Sequence, residues 1–367
     1  MSLLAIAFLA SLIVQLVFFA LLLWGITRRN LHPITDDQPA VTVLVCAHDE
    51  EENLRQLVPQ VLQQDYPYVQ LVVVDDRSND GTYDYIRKLS VTDKRVKAVR
   101  VEHLPDHVNA KKYGITLGVK AATTEWILLT DADCMPQSSG WITTMSRYMD
   151  NGAQFVLGFS PYEKQLGLLN VFIRFETLFT AIQYMGFAHL GMPYMGVGRN
   201  LAYRKSWFLA NKGFNTLMNV TGGDDDLYVN RHVTRSTVRV CLGKESLVNS
   251  KPKQSLAAFF KQKKRHLFAG KKYRLKHRVV LALFMGSYGL TWLTGLLLLS
   301  TGFEWMYVAG LLALRSISFA WLVHRAAVRL GVSFAAYAVP FLDILFVFYY
   351  LSTAPVALIS KRVKWMN

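Results

Sequence analysis

The chain predicts an α/β domain built on a mostly parallel sheet and joined to apolar membrane helices at both ends. Two observations carry that prediction. Between residues 41 and 131, short apolar runs alternate four times with helical patterns, and carboxylates fall where the runs end. Long apolar stretches flank this region, and the 367-residue chain pairs 52% apolar residues with a net charge of +15, an unusual combination for a soluble enzyme.

Leu3 to Ile26 is apolar apart from Ser11 and Gln15, long enough to cross a bilayer as a helix. Its charges, Arg28 and Arg29, follow it rather than precede it. That argues against a cleaved signal peptide and, by the positive-inside rule, puts the amino terminus outside and the next domain in the cytoplasm. After a linker over 31–39, Val41 to Cys46 reads as a buried strand. His48 and the acidic run Asp49 to Glu52 then open a helix through about Gln64, with Glu51 and Glu52 as partners of its dipole. Tyr66-Pro67 ends it. Val69 to Val74 is the second strand, running into Asp75-Asp76-Arg-Ser-Asn-Asp80-Gly-Thr82 and a helix through Leu89. A plain turn needs one Asp there; a pair can accept hydrogen bonds from a base or ribose. Val96 to Val101 is the third strand, and Ala110 to Ala122 a helix with Lys111 and Lys112 in its first turn.

Trp126 to Thr130 is the fourth strand and ends in Asp131-Ala-Asp133. Mg²⁺ and Mn²⁺ take oxygen ligands, often only one or two from the protein. The carboxyl end of a strand is where α/β sheets place ligands.

The three cysteines offer no disulfide framework or zinc spacing, which suits a reducing compartment. A basic excess can serve nucleic acid, anionic lipid or a phosphorylated substrate. Lys251 to Arg278 holds eleven Lys or Arg and no acid, directly before an apolar span. That position favours a juxtamembrane helix on anionic headgroups over nucleic-acid binding. In 166–195, Phe172, Phe175, Leu178, Phe179 and Ile182 recur at helical spacing; the preferred reading is a helix in the membrane interface, the other reading packing against the sheet. Apolar stretches follow at about 279–300, 303–323 and 334–359. His324, Arg325 and Arg329 mark a cytoplasmic loop and 300–304 an outer one, whereas the basic tail Lys361 to Lys364 contradicts the rule unless the last segment is re-entrant, helped by Pro340 and Pro355. Arg315 and Asp343 lie inside these stretches and could pair.

With these residues assembled, the chain resembles the family 2 glycosyltransferases, membrane-anchored bacterial type. The resemblance runs over roughly residues 40–275, through Val-Val-Val-Asp75-Asp76-Arg-Ser-Asn-Asp-Gly-Thr, Asp131-Ala-Asp133, Gly196-Val-Gly-Arg-Asn200-Leu-Ala-Tyr-Arg-Lys205 and Gly222-Gly-Asp224-Asp225-Asp226-Leu227. It implies the GT-A fold, a Rossmann-like, mostly parallel sheet, and inverting transfer from a nucleotide-diphosphate sugar. Position by position, it implies that His48 and Asp76 contact the base, Asp75 lies near the ribose, and Lys111 lies near the diphosphate, with Ala110 where a Gly is usual. Asp131 would lie near ribose and diphosphate and Asp133 would bind the metal. Aligning Asp226-Leu227 with the family's Glu-Asp-x-Asp-Leu puts Asp224 at the catalytic base, with Gly223 replacing the usual Glu and Asp225 as competing candidate. Asn200 is expected at the acceptor and diphosphate side. Gln262-Lys-Lys-Arg265-His266 resembles the Gln-x-x-Arg-Trp motif with His for Trp, making Gln262 and Arg265 diphosphate or acceptor contacts.

The expected organisation is an anchor at 1–27, a catalytic domain at 40–250, a basic segment at 251–278 and about three membrane or re-entrant helices at 279–360. The expected activity is a Mg²⁺- or Mn²⁺-dependent inverting glycosyltransferase of the bacterial inner membrane, with its catalytic domain cytoplasmic. It would move a sugar, from a UDP-sugar, to a membrane lipid or lipid-linked glycan. A processive polysaccharide synthase is the alternative, disfavoured by His266 and the few spans; a non-catalytic scaffold is more remote, given intact Asp76, Asp131, Asp133 and Asp224.

Overall fold

The computed structural model describes residues 2–28 and 34–359. Arg29 and the basic tail from Lys361, both used above to judge orientation, lie outside the described residues. The chain divides into two units. Of the described residues, one holds 34–164 and 191–252; the other holds 2–28, 165–190 and 253–359.

The α/β unit is built on β1 (Val41–Ala47), β2 (Val69–Asp75), β3 (Val96–Arg100) and β4 (Trp126–Asp131), which pair in parallel in the order β3-β2-β1-β4. β1, β2 and β4 are buried along nearly their whole length, as strands covered on both faces must be. The helices α2 (Glu51–Leu62), α3 (Thr82–Thr92) and α4 (Ala110–Ala121) connect them. Within α4, a Cβ at Gly118 would lie 2.3 Å from Leu44 Cδ1, so only glycine lets the helix approach the sheet this closely. A short β5 (Cys134–Pro136), a short helix α5 (Trp141–Ser146) and β6 (Phe155–Leu157) lead out of this half.

Beyond β4 the sheet changes sense. β7 (Leu201–Arg204) runs antiparallel to β4, with Leu129 opposite Leu201, and β6 and β8 (Val238–Val240) complete the order β4-β7-β6-β8. The seven-stranded sheet is therefore mixed: four parallel strands, as predicted, extended by strands too short to carry a periodic signal. The helices α7 (Lys205–Ala210) and α8 (Asp226–His232) and the strand β9 (Val248–Ser250), paired to β5, finish the unit.

The helical unit contains α1 (Leu3–Thr27), α6 (Leu168–His189), α9 (Leu256–Gly270), α10 (Leu275–Ser300), α11 (Trp305–Leu330) and α12 (Val339–Ile359). Among the described residues, four helices are long and apolar enough to cross a membrane: α1, α10, α11 and the segment 336–353. One expectation is corrected here. His324, Arg325 and Arg329 ride on the last turns of α11 rather than in a loop, because nothing breaks the helix before Gly331, which caps it at φ 77°. The apolar side of α6 packs on neighbouring helices of the same unit. Phe175 and Phe179 pack on Phe319 of α11 and Phe346 of α12, and Phe179 on Phe284 of α10. α12 continues through Pro355, and Pro340 falls in its first turn, where a missing N–H costs nothing, so the segment has no re-entrant break among its described residues.

Two polar features organise this unit. α6 meets α1 at paired glycines: a Cβ on Gly25 would stand 2.6 Å from the Gly186 carbonyl oxygen, and His189 Nδ1 lies 2.8 Å from the Gly25 carbonyl oxygen. At depth, Arg315 and Asp343 do pair. Both are fully buried. Tyr288 donates to Asp343, and Arg315 Nη2 donates to Gln15 Oε1 at 3.1 Å. Gln15 in turn donates to Phe284 O and Ser287 Oγ at 3.1 and 3.2 Å. The network joins α1, α10, α11 and α12, and explains why Gln15 interrupts an otherwise apolar helix. Removing one partner strands the other charge in a dry interior. Asp343→Ala is expected to cost about 3–5 kcal/mol. The double variant Arg315→Met/Asp343→Leu should cost less than Asp343→Ala alone, as read from unfolding midpoints in detergent. Equal midpoints for wild type and Asp343→Ala would show that the pair carries no stability.

Candidate active site

The strand register builds the site. Ala47 stands opposite Asp75 and Cys46 opposite Asp131, so the carboxyl ends of β2, β1 and β4 come level and present their loops together. The loops after β1 and β2 are laced to each other. Asp49 N donates to Ser78 Oγ at 2.9 Å, Asn79 N donates to Asp49 Oδ1 at 2.7 Å, and Asp76 N donates to Ala47 O at 2.8 Å. His48, exposed at this edge, holds Nδ1 at 2.6 Å from the Asp76 carbonyl oxygen. That oxygen can only accept, so Nδ1 carries the proton of this bond, and Nε2 lies 3.7 Å from Asp49 Oδ2. Asp76 is half-buried, with Oδ1 accepting from Arg77 Nε at 2.9 Å. Asp75 is fully buried: its Oδ1 accepts the Ser78 amide at 3.3 Å and shapes the turn, while its Oδ2 lies 3.8 Å from Arg100 Nε and has no hydrogen-bond partner.

At the end of β4, Asp131 and Asp133 are both half-buried, and their ligand atoms lie with Cys134 Sγ within 4.8 Å of one another. The two carboxylates suit a hard divalent cation. Cys134 is buried and offers a soft sulfur donor that Mg²⁺ and Mn²⁺ disfavour, so the fitting donor set is the oxygens.

The third component is the loop before α8. Gly222 and Gly223 have φ of 69° and 80°, and a Cβ at residue 223 would lie 2.4 Å from Leu227 Cδ1. The local backbone thus accounts for glycine where the family pattern has Glu. This turn delivers Asp224 to the first turn of α4, where Lys111 Nζ lies 2.8 Å from Asp131 Oδ1 and 3.3 Å from Asp224 Oδ2. The neighbouring Lys112 is fully buried; its ammonium donates to the carbonyls of Val220, at 2.6 Å, and Gly222. One lysine therefore bridges the two acidic groups while the next ties down the loop that carries one of them. A small cavity is lined by Cys46, Lys111, Thr130, Asp131, Gly198 and Asp224, over an apolar floor of Leu44, Ile115 and Leu129.

Asp224 and Asp225 differ sharply. Burial works against ionisation of Asp224, but Lys111 and then Lys112 outweigh it and hold the carboxyl below its usual range. Asp225 is not among the residues that line the cavity. Its Oδ2 accepts the Gly198 amide at 2.8 Å and its Oδ1 the Asp226 amide at 2.6 Å, capping α8. Burial and then the charge of Asp224 push it up to about 6.

Asn200 is corrected. It is fully buried: its Oδ1 accepts from Trp141 Nε1 at 3.1 Å, and its Nδ2 donates to Phe159 O and Ser246 O at 2.9 and 2.7 Å. With donors and acceptor engaged inside the protein, it braces the β7 turn. Gln262 and Arg265, both half-buried, lie on α9 in the helical unit. On the same helix, Lys263 is buried in an ion pair with Glu176 of α6, so this basic run is not uniformly a lipid-facing surface. Sequence reasoning missed Lys112. The available signal was a second lysine in the first turn, a position poorly suited to a cation unless something specific receives it.

The sign of the Asp225 shift yields a pH test. A folded-state value near 6, against about 4 unfolded, means that the folded chain holds a proton the unfolded chain has released between those values. Stability should therefore fall as pH rises from about 4 to about 6. Glu50, also raised by burial, acts in the same direction, while the Asp224 contribution is lost only below the usual carboxylate range. Midpoints of thermal unfolding in detergent should decline across that window, and decline less in Asp225→Asn.

Comparison with known proteins was made against this geometry. A family model described as "Glycosyl transferase family 2" matches residues 42–208, and one described as "Glycosyl transferase family group 2" matches residues 126–360. An "Uncharacterized glycosyltransferase" of Haemophilus influenzae is 25% identical over 112 residues, 30% of this chain and 33% of that one. A "GalNAc(5)-diNAcBac-PP-undecaprenol beta-1,3-glucosyltransferase" of Campylobacter jejuni is 25% identical over 134 residues, 36% of this chain and 42% of its own. The matched segments thus span well under two thirds of either relative. Among solved structures, the mannosyltransferase PcManGT of Pyrobaculum calidifontis, in complex with GDP-Man and Mn²⁺, superposes with a TM-score of 0.65 at 19% identity, covering 98% of this chain and 99% of its own. At that identity the likeness speaks for the fold.

Proposed function

We propose that the chain, which belongs to glycosyl transferase family group 2, is a glycosyltransferase that moves one sugar, with inversion, from a nucleotide-diphosphate sugar to a membrane lipid or lipid-linked glycan. The observation that carries this reading is the meeting of Asp131 and Asp224 on Lys111, with Asp133 beside them at the end of β4. Leaving-group and base functions need opposite charges close together, and this arrangement supplies both.

In the proposed reaction Asp224 takes the proton from the acceptor hydroxyl as that oxygen bonds to the anomeric carbon. The bond from that carbon to the diphosphate oxygen breaks on the opposite face, and its electrons leave with the nucleoside diphosphate. Lys111 is released from its carboxylates toward the departing diphosphate and offsets its charge. A Mg²⁺ or Mn²⁺ held by Asp133 and Asp131 would supply further charge compensation to the diphosphate. His48 and Asp76, at the half-open edge formed by the β1 and β2 loops, are assigned to the base. Asp225 is assigned to holding the α8 loop against Gly198, because both of its oxygens are taken up by backbone amides. Gln262 and Arg265 keep their proposed role toward the diphosphate and acceptor.

The donor proposed is a UDP-sugar; GDP-mannose, named in the PcManGT complex, belongs in the same test. A lipid-linked acceptor is supported by the name of the Campylobacter relative and by the four helices apolar enough to span a membrane. Arg28 after α1 supports a cytoplasmic catalytic unit in a bacterial inner membrane. The proposed organisation remains an anchor, a catalytic domain, a basic juxtamembrane segment and trailing spans.

The direct test supplies radiolabelled nucleotide sugars to the purified protein with membrane lipid extract, with Mn²⁺ or Mg²⁺ and with chelator. A product that partitions into organic solvent and carries one sugar, formed only with metal, is expected. A high-molecular-weight aqueous product would replace this reading with a processive synthase. Asp224→Asn should lower turnover by about 10²–10⁴-fold with donor binding retained. Asp133→Ala should abolish metal-dependent turnover in a protein whose thermal midpoint is unchanged.

A further inference from the structure

Among the described residues, the α/β unit holds one cation near the acidic groups with no assigned task. Arg199 lies in the turn 198–200 immediately before β7. Because β7 runs antiparallel to β4 with Leu201 opposite Leu129, this turn falls level with residues just past the end of β4, where Asp131 and Asp133 stand. The neighbouring Gly198 amide is bound to Asp225, and Asn200 on the other side is locked into the core, so the backbone that carries Arg199 is held from both directions.

Its side chain is held as well. The guanidinium lies over the ring of Tyr162, 4.6 Å from its centroid, and Tyr162 is itself buried. Nη1 is buried without a hydrogen-bond partner. Lys111, by contrast, is engaged with Asp131 and Asp224. Burial opposes the charge on Arg199, while Tyr162, Cys134, Asp131 and Asp133 favour it, and among the described residues neither Asp131 nor Asp133 forms an ion pair with it. A buried, partnerless donor on a charged group is costly, and a planar guanidinium stacked on an aromatic ring is preset to grip an anion through two parallel hydrogen bonds. Metal-binding carboxylates cannot serve as that anion while they face the metal. A phosphate arriving at the same carboxylates can.

We infer that Arg199, oriented by Tyr162, binds the outer phosphate of the donor's diphosphate and holds it as the nucleoside diphosphate departs. This rests on the donor-site reading above and adds to it a residue from the β7 turn. It also separates the two cations in time: Lys111 neutralises the carboxylates before donor arrives and turns to the diphosphate as it departs, whereas Arg199 grips the outer phosphate from the moment the donor binds.

The test is equilibrium binding to the full chain in detergent with Mn²⁺, using UDP and UMP, and GDP and GMP as a second pair. The variants are Arg199→Gln, Arg199→Lys and Tyr162→Leu. Arg199→Gln should weaken diphosphate binding by about 10–100-fold and monophosphate binding by less than about 3-fold. Arg199→Lys, which keeps the charge but loses the fork, should fall between wild type and Arg199→Gln, and Tyr162→Leu should weaken the diphosphate selectively. Thermal midpoints identify any variant that fails to fold, and the Arg199→Lys result then decides. Wild-type binding of diphosphate with an unchanged Arg199→Lys and Arg199→Gln would overturn the inference and leave the donor site standing. Equal losses for mono- and diphosphate would overturn it in favour of a structural arginine. Full diphosphate binding by Arg199→Gln, with weakened binding of an isoprenyl diphosphate, would move the residue to the acceptor. If wild type binds neither diphosphate, it is the donor-site reading itself that fails.

Discussion

The α/β unit depends on the register in which β1 pairs with β2 and β4. These strands are apolar on both faces, so burial alone would tolerate a shift that carried the carboxylates into or away from the sheet edge. Polar groups at the opposite end of the strands restrain it. Thr42 on β1 stands opposite Gln70 on β2, donates to its Oε1 at 2.9 Å, and lies 2.7 Å from Thr124 Oγ1, just before β4. With that end pinned, Asp75 and Asp131 fall level at the other, and the loops that follow them form one rim.

The rim is a concentration of negative charge, and two adjacent lysines make it tolerable. Lys111 answers the carboxylates directly; Lys112 is spent on backbone carbonyls, which fixes the loop bearing Asp224. Their placement in the first turn of α4 opposes the helix dipole, a cost accepted where the cations are consumed by specific acceptors. The same division separates Asp224, ionised and facing the cavity, from Asp225, whose oxygens hold Gly198 and the start of α8.

In the helical unit the comparable constraint is the buried network of Gln15, Tyr288, Arg315 and Asp343. Apolar helices slide against one another at little cost, since Leu and Phe contacts are interchangeable. A charge pair that must meet a tyrosine and a glutamine permits one register, which is the best-attested use of buried polar groups. The paired glycines of α1 and α6 add a steric condition of the same kind.

The sequence by itself determined the parallel half of the sheet, the four long apolar helices, the Asp131/Asp133 pair and the family, because apolar periodicity and residue type are local properties. It also located Lys111, Asp76 and the glycine-bordered Asp224. Only the tertiary structure decided which polar residues gather at the edge of the sheet and which are spent inside. Asn200 carries the same side-chain chemistry as a site residue but is buried, and its hydrogen bonds are made within the protein; Asp75 is buried with one oxygen on the Ser78 amide. The α6 periodicity reported an apolar face without saying whether lipid or protein covers it; Phe319, Phe346 and Phe284 do. Pairings such as Lys112 with the carbonyls of residues 220 and 222, or Arg315 with Asp343, join residues far apart in the chain. Spacing along a sequence encodes what lies on one face of one element, and contacts between elements exist only once the chain has folded.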